Sequence, residues 1–172
     1  MRMKKIQFLF FIISVLVSCN SDQTADSEVE WVVKQSGKYS VSYPENWSFN
    51  ALNSGVEFTI ISPLDRAPAD AFSENVNLLV ENIGETTMEA YIEASIGQLE
   101  RLNVADLKHK NNTTFQVLEY LKDYNGNKLK VLQHLRIREG KVYILTFTDL
   151  TEAYSSHRKE AEKILKSFEL SD

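Results

Sequence analysis

The dipeptide Asn125-Gly126 is the feature that most constrains the fold of this chain. It lies between two long β-rich runs, 115–124 and 127–137, and Asn-Gly in such a place is a strong signal for a two-residue type I′ hairpin. A second turn, Glu139-Gly140, connects the latter run to a third one at 141–148. Near their centres these runs carry apolar residues on both faces, which an antiparallel sheet with one face in water would not do. The sheet must therefore be covered on both sides.

Two amphipathic segments are predicted to be the covering helices. Residues 86–102 begin with a capping box formed by Thr86 and Glu89, and apolar residues then recur at helical spacing. Residues 151–168 show a second apolar stripe at the same spacing. Shorter strand-like runs occur earlier in the chain, at 31–34, 38–43, 56–62 and 76–83. This order predicts an α+β domain in which an antiparallel sheet of about six or seven strands is flanked by helices.

The N-terminus has the layout of a bacterial lipoprotein signal. A basic start is followed by twelve mostly apolar residues, 6–17, and the run ends in Leu16-Val17-Ser18-Cys19. A membrane-spanning helix needs about 20 apolar residues, whereas the core of a signal peptide has about 7–15. We therefore expect cleavage after Ser18, with Leu16, Val17 and Ser18 flanking the cut and a lipid attached to Cys19. Lipidation would also account for the single cysteine of the chain.

Residues 20–30 are predicted to be an acidic, flexible tether between the anchor and the domain. They hold four acidic residues, no basic residue and one aliphatic side chain larger than alanine, so they cannot bury enough apolar area to become ordered. The predicted organisation is a signal peptide at 1–18, the lipidated cysteine and tether at 19–30, and one domain at 31–172.

The charge balance narrows the possible partners. The chain has 19 basic and 24 acidic residues, and removing the three basic residues of the signal leaves 16 against 24. Such an acidic protein is a poor candidate for binding nucleic acid. It also has no basic patch to hold it on anionic lipid, so a covalent lipid is the expected membrane anchor.

The domain resembles the PsbP-like family, which includes small bacterial lipoproteins. The fold of this family can be called PsbP/DcrB-type. The likeness rests on the order of several short segments: 39–44 with Trp47 shortly after, 58–63, Asp70 and Phe72 before Glu74-Asn75-Val76, the helix 87–102, and the closing 164–168. It extends over nearly all of 31–172. The resemblance implies an α/β/α sandwich around an antiparallel sheet and a mostly non-enzymatic accessory, assembly or binding module, and it supplies no catalytic motif.

Motifs for catalysis, cofactors and metals are absent from the sequence itself. The chain shows no nucleophile elbow, phosphate-binding loop or dinucleotide glycine pattern. The histidines, His109, His134 and His157, are isolated from one another, so no zinc-ligand spacing results. We interpret His134 as a structural residue or a residue at the rim of the sheet, and His157 as part of a solvated helix face. Three carboxylates, Asp65, Asp70 and Glu74, cluster near a Pro-containing loop, but the glycine-bearing signature of a calcium loop is missing.

The sequence therefore predicts a lipid-anchored protein of a bacterial cell envelope. Its PsbP-like domain is expected to be non-enzymatic, to need no cofactor, and to bind or help assemble an envelope protein partner. Asn20, directly after the lipidated residue, is not the usual inner-membrane retention residue and favours the outer membrane. The alternative hypothesis is a small envelope hydrolase or a ligand- or metal-binding carrier with its site near residues 63–75.

Overall fold

The structure, a computed structural model, describes residues 29–53, 55–63 and 72–171. The predicted signal peptide, Cys19 and most of the tether lie outside these residues, as do Asp65 and Asp70. The described residues form ten strands and two helices in the order β1 (Trp31–Gln35), β2 (Tyr39–Pro44), β3 (Ser48–Asn53), β4 (Val56–Ile61), β5 (Asn75–Asn82), α1 (Met88–Arg101), β6 (Ala105–Asn111), β7 (Gln116–Tyr124), β8 (Asn127–Arg138), β9 (Lys141–Leu150), α2 (Tyr154–Ser167) and β10 (Glu169–Leu170).

The strands form two antiparallel sheets. A seven-stranded sheet has the order β3-β4-β5-β9-β8-β7-β6, and a three-stranded sheet has the order β1-β2-β10. The predicted α+β architecture is thereby confirmed. Within the described ranges, neither helix is long and apolar enough to span a bilayer.

The two predicted hairpins organise the centre of the large sheet. Asn125 and Gly126 both have positive φ, 50° and 82°, as a type I′ turn requires. Asp123 pairs with Lys128 in the register that this turn sets. Glu139 and Gly140 have positive φ in the same way and join β8 to β9. The longest strands of the sheet therefore follow directly from local turn chemistry.

Both faces of the large sheet are covered, as the apolar pattern of its strands requires. One face packs under α1 in a cluster of buried residues: Ile92, Leu118, Leu135, Val142 and Ile144. The opposite face packs under α2 and the small sheet in a larger cluster that includes Val41, Phe58, Val76, Leu145, Phe147, Ile164, Leu165 and Phe168. The seven-stranded sheet is thus the middle layer of the domain.

The boundaries of α1 differ from the prediction by one residue at the cap. Thr87, rather than Thr86, is the N-cap, and its Oγ1 accepts a hydrogen bond from the Ala90 amide at 3.3 Å. The Thr86 amide instead donates to the Ile83 carbonyl in the turn that contains Gly84, which has a positive φ. The tight turn therefore uses Thr86, and the helix starts one residue later.

Candidate functional site

Three ionisable side chains from separate elements meet at one end of the β5–β9 pair. Asn75 is paired with Thr148, so Glu74, just before β5, lies beside Asp149 near the end of β9. The chain then turns at 151–153 and enters α2, whose first turns bring His157 back over Asp149. Antiparallel pairing and a short turn together create this cluster, which we call the Glu74 cluster (Glu74, Asp149 and His157).

The imidazole of His157 lies close to both carboxylates of the cluster. Nδ1 of His157 lies 3.1 Å from Oδ2 of Asp149 and 3.6 Å from Oε1 of Glu74. The hydroxyl of Ser62 donates a short hydrogen bond to Oε2 of Glu74, and the backbone amide of Ser62 donates to the Glu74 carbonyl at 2.9 Å. Ser62 thereby fixes the Glu74 carboxylate with its other oxygen toward the imidazole.

The cluster is largely removed from water. Asp149 is fully buried, Glu74 is 2% exposed, and the His157 side chain is 19% exposed. One oxygen of each carboxylate, Oε1 of Glu74 and Oδ1 of Asp149, is buried without a hydrogen-bond partner. Native proteins leave few such atoms, and each one calls for an explanation.

Burial also perturbs the acidity of the cluster. Loss of hydration, together with the nearby charge of Glu74, raises the pKa of Asp149, the hydrogen bond from His157 opposes the shift, and the net result is a pKa of about 6. The negative charge of Glu74 thus disfavours the ionised form of Asp149 in this dry site. The site therefore favours a positively charged occupant, either a proton or a cation.

The arrangement does not assemble a serine nucleophile with its base. Such a pair needs the hydroxyl within hydrogen-bonding reach of the imidazole. The Ser62 hydroxyl instead donates to Glu74, while Nδ1 of His157 faces the carboxylates. What the cluster can do chemically is present two carboxylate oxygens and one imidazole nitrogen to a cation, since these ligand atoms lie within 4.8 Å of one another.

A second polar region lies between α2 and strands β6 to β8, around a cavity of about 140 Å³. His134 lies in its wall, 3% exposed, and stacks on Phe115 with ring centroids 4.1 Å apart. The acids that line the cavity are already paired with cations: Glu119 with Lys130 at 2.8 Å, and Glu162 with Arg158 at 2.8 Å and Lys166 at 3.0 Å. This charge network is satisfied internally, unlike the Glu74 cluster.

The structure brings together only part of what the sequence singles out. Glu74 belongs to the cluster, and His134 is a buried structural residue as expected. His109 is exposed on β6, where its Nε2 lies 2.8 Å from Oε1 of Gln116. The expectation for His157 was wrong: it does not lie on a solvated helix face but packs against Asp149, because α2 docks with its N-terminal turns over the end of β9.

The sequence analysis does not single out Asp149 or Ser62, although the position of Asp149 in its strand indicates that it is buried. In β9 it falls in phase with Leu145 and Phe147, which point into the core. A carboxylate at a core position of an alternating strand predicts burial and therefore a partner. Ser62 left no such signal, since its role depends on the pairing of β4 with β5.

Comparison with solved structures identifies the fold. The PsbP protein (CyanoP) of the cyanobacterium Synechocystis sp. PCC 6803 matches with a TM-score of 0.60 at 14% identity, over 91% of this chain and 99% of that chain. The fold is PsbP-like. Two further structures match this PsbP-like chain at 14% identity. LpqN of Mycobacterium tuberculosis, described as involved in cell envelope biogenesis, matches with a TM-score of 0.58 over 86% of this chain and 94% of that chain. A protein of Bacteroides thetaiotaomicron matches with a TM-score of 0.55 over 84% of this chain and 49% of that chain.

The likeness is one of structure. No protein-family model matches the sequence, and no curated protein matches it significantly. None of the three descriptions names an enzyme. At such identities the comparison establishes the PsbP-like fold, and function has to be argued from the residues of this chain.

Proposed function

We propose that this protein is a lipid-anchored component of a bacterial cell envelope, whose PsbP-like domain binds or helps to assemble another envelope protein. The observation that carries the proposal is the sequence Leu16-Val17-Ser18-Cys19 at the end of a short apolar run. A PsbP-like fold supports an accessory role, as does a neighbour described as involved in cell envelope biogenesis.

Lipid labelling tests the anchor. The full chain is expressed in a diderm bacterium with an alkyne fatty acid, and the envelope is separated from the soluble fraction. We expect the wild type to carry label and sediment with membranes, and Cys19→Ser to lose both properties. Ser21→Ala, two residues beyond the predicted lipid site, is the matched control and keeps them. Equal partitioning of wild type and Cys19→Ser would refute the anchor.

Density-gradient separation of the two membranes tests the location. We expect the wild type in the outer membrane, since Asn20 is not the usual retention residue, and Asn20→Asp in the inner membrane. Recovery of the wild type in the inner membrane would refute the outer-membrane assignment without affecting the anchor.

Site-specific photo-crosslinking tests for a protein partner. Leu102 and Tyr124 are large apolar side chains that are 66% and 60% exposed, and they are candidate contact points. A photoreactive residue at either position is expected to give a defined adduct in native envelopes that disappears with Cys19→Ser. The same probe at Glu139, in the turn at the opposite end of β8, is the positional control. Absence of any protein adduct from both positions would count against a binding role.

A further inference from the structure

We propose that Glu74, Asp149 and His157 form a binding site for one divalent transition-metal ion, with zinc as the ion that fits best. This site is independent of the anchoring proposal, because it rests on the side chains of the domain alone.

The charges of the cluster are the first argument. Two carboxylates lie against one imidazole in a region from which water is nearly excluded. Lys130 lies opposite Asp149 in the β8–β9 register, but its ammonium group contacts Glu119 at 2.8 Å instead. Arg158, next to His157 in sequence, contacts Glu119 and Glu162. Within the described residues, the ion pairs of both cluster carboxylates are with His157 alone, so a bound cation would supply the missing positive charge.

The two unpartnered oxygens are the second, independent argument. Oε1 of Glu74 and Oδ1 of Asp149 are buried and accept no hydrogen bond, although a buried carboxylate oxygen normally has a donor. In Glu74, Ser62 already occupies the other oxygen. Coordination to a metal ion satisfies such an oxygen without requiring a further donor.

The spacing of the ligand atoms fits a small ion. Zinc binds imidazole nitrogen and carboxylate oxygen at 2.0–2.2 Å, which places two tetrahedral ligand atoms about 3.3–3.5 Å apart. The observed separations from Nδ1 of His157, 3.1 Å to Oδ2 of Asp149 and 3.6 Å to Oε1 of Glu74, bracket that distance. Asp149 would therefore bind the ion through Oδ2, and the unpartnered Oδ1 would join it if the carboxylate binds in a bidentate manner. Three protein ligands leave one position for water or for a group from another molecule.

The ligand types favour zinc over calcium and magnesium. Imidazole suits zinc and its neighbours in the transition series, whereas calcium takes six to eight oxygen ligands and magnesium retains several waters. Ser62 is a positioning residue in this site, because its hydrogen bond orients the Glu74 carboxylate in the way that outer-shell partners orient metal ligands.

Titration of the chelator-treated full chain with zinc tests the proposal. The chain is purified in detergent. Calorimetry measures zinc binding, thermal unfolding measures stability, and far-UV circular dichroism checks that each protein is folded. We expect one equivalent of zinc to bind and the unfolding temperature to rise, since a ligand of the native state stabilises it. Asp149→Asn and His157→Gln are expected to abolish both effects, and Ser62→Ala to weaken zinc affinity roughly 10–100-fold.

The controls separate this site from other binding. His109→Gln removes an exposed histidine and is expected to bind zinc like the wild type. The Cys19→Ser chain is measured in parallel, so that a thiol cannot account for the signal. Cobalt substitution gives a readout that does not depend on stability: a tetrahedral cobalt absorption band is expected in the wild type and not in Asp149→Asn.

Several results would overturn the proposal. These are no response of the folded wild type to excess zinc, equal zinc binding in the wild type, Asp149→Asn and His157→Gln, or tighter binding of calcium than of zinc. None of them bears on lipidation at Cys19, so failure of the metal site and failure of the envelope proposal are distinguishable.

Discussion

Acidification is expected to destabilise the PsbP-like domain through His134. The imidazole is 3% exposed in β8 and stacks on Phe115. Burial, together with the positive charges of Arg136 and Lys166, lowers the pKa of His134, Glu162 and the backbone of Leu165 oppose the shift, and the net change is from 6.5 to about 4. The folded protein therefore holds this histidine neutral at pH values where a free one would be protonated.

The sign and size of the effect follow from linkage. In the unfolded chain the imidazole takes up a proton as the pH falls below 6.5, whereas in the folded state it does so only near pH 4. The contribution of His134 to the free energy of unfolding is thus fully present above pH 6.5 and is lost as the pH falls toward 4. The slope is about 1.4 kcal/mol per pH unit, and the total loss is about 3 kcal/mol.

Chemical denaturation between pH 7 and pH 4 measures this loss, with wild type and His134→Leu compared at each pH. The substitution changes stability at pH 7 as well, because it removes the stacking on Phe115. The informative quantity is therefore the difference in free energy of unfolding between wild type and His134→Leu, followed as a function of pH. The titration of all other groups cancels from this difference. We expect the advantage of the wild type to shrink by about 3 kcal/mol over this window.

His109→Gln is the matched control, since it removes a histidine that is exposed on β6. Its free energy of unfolding should follow the wild-type curve. Parallel pH dependences for wild type and His134→Leu would refute the reasoning, because they would show that His134 is protonated equally in both states of the wild type.

Three further predictions concern the local features that define the fold. Thr87→Ala removes the N-cap hydrogen bond of α1 and should lower the free energy of unfolding by about 1 kcal/mol, and Thr86→Ala by less, as measured by urea denaturation. Gly126→Ala forces a side chain into the left-handed region at φ 82° and should cost about 1 kcal/mol or more, whereas Gly37→Ala, in open space without a positive φ, should not. Phe58→Ala empties a fully buried core position and should cost about 3–5 kcal/mol in the same assay; a loss below 1 kcal/mol would contradict its placement in the core.

The strands that the sequence predicts are those with local signals, and the missed ones lack them. The turns Asn125-Gly126 and Glu139-Gly140, together with apolar residues on both faces, predict β7, β8 and β9. β6 is an edge strand with mostly exposed polar residues and an irregular register between Ala105 and Lys108, so it shows little apolar alternation. β10 has two residues and is defined only by its pairing with β2, which no local pattern contains.

The candidate site was less predictable than the fold for the same reason. Glu74 and Asp149 are far apart in the sequence, and the β5–β9 register alone brings them together. His157 has the sequence neighbourhood of a solvated residue, because its environment is set by where α2 docks. The three proposed metal ligands come from different parts of the fold. The sequence therefore contains no short motif with the spacing of metal ligands.

The contrast between Glu119 and Asp149 indicates which polar group of this face is structural and which is available to a ligand. Although burial raises the pKa of Glu119, the hydrogen bond and charge of Lys130, with Arg158, hold it below its usual value. Burial raises the pKa of Asp149 to about 6, and among the described residues the other charged group besides His157 that acts on it is a second carboxylate, Glu74. Consecutive residues of α2 make the difference, since Arg158 contacts Glu119 while His157 contacts Asp149. The helix therefore neutralises one buried acid with a permanent cation and meets the other with an imidazole, a side chain that can also bind metal.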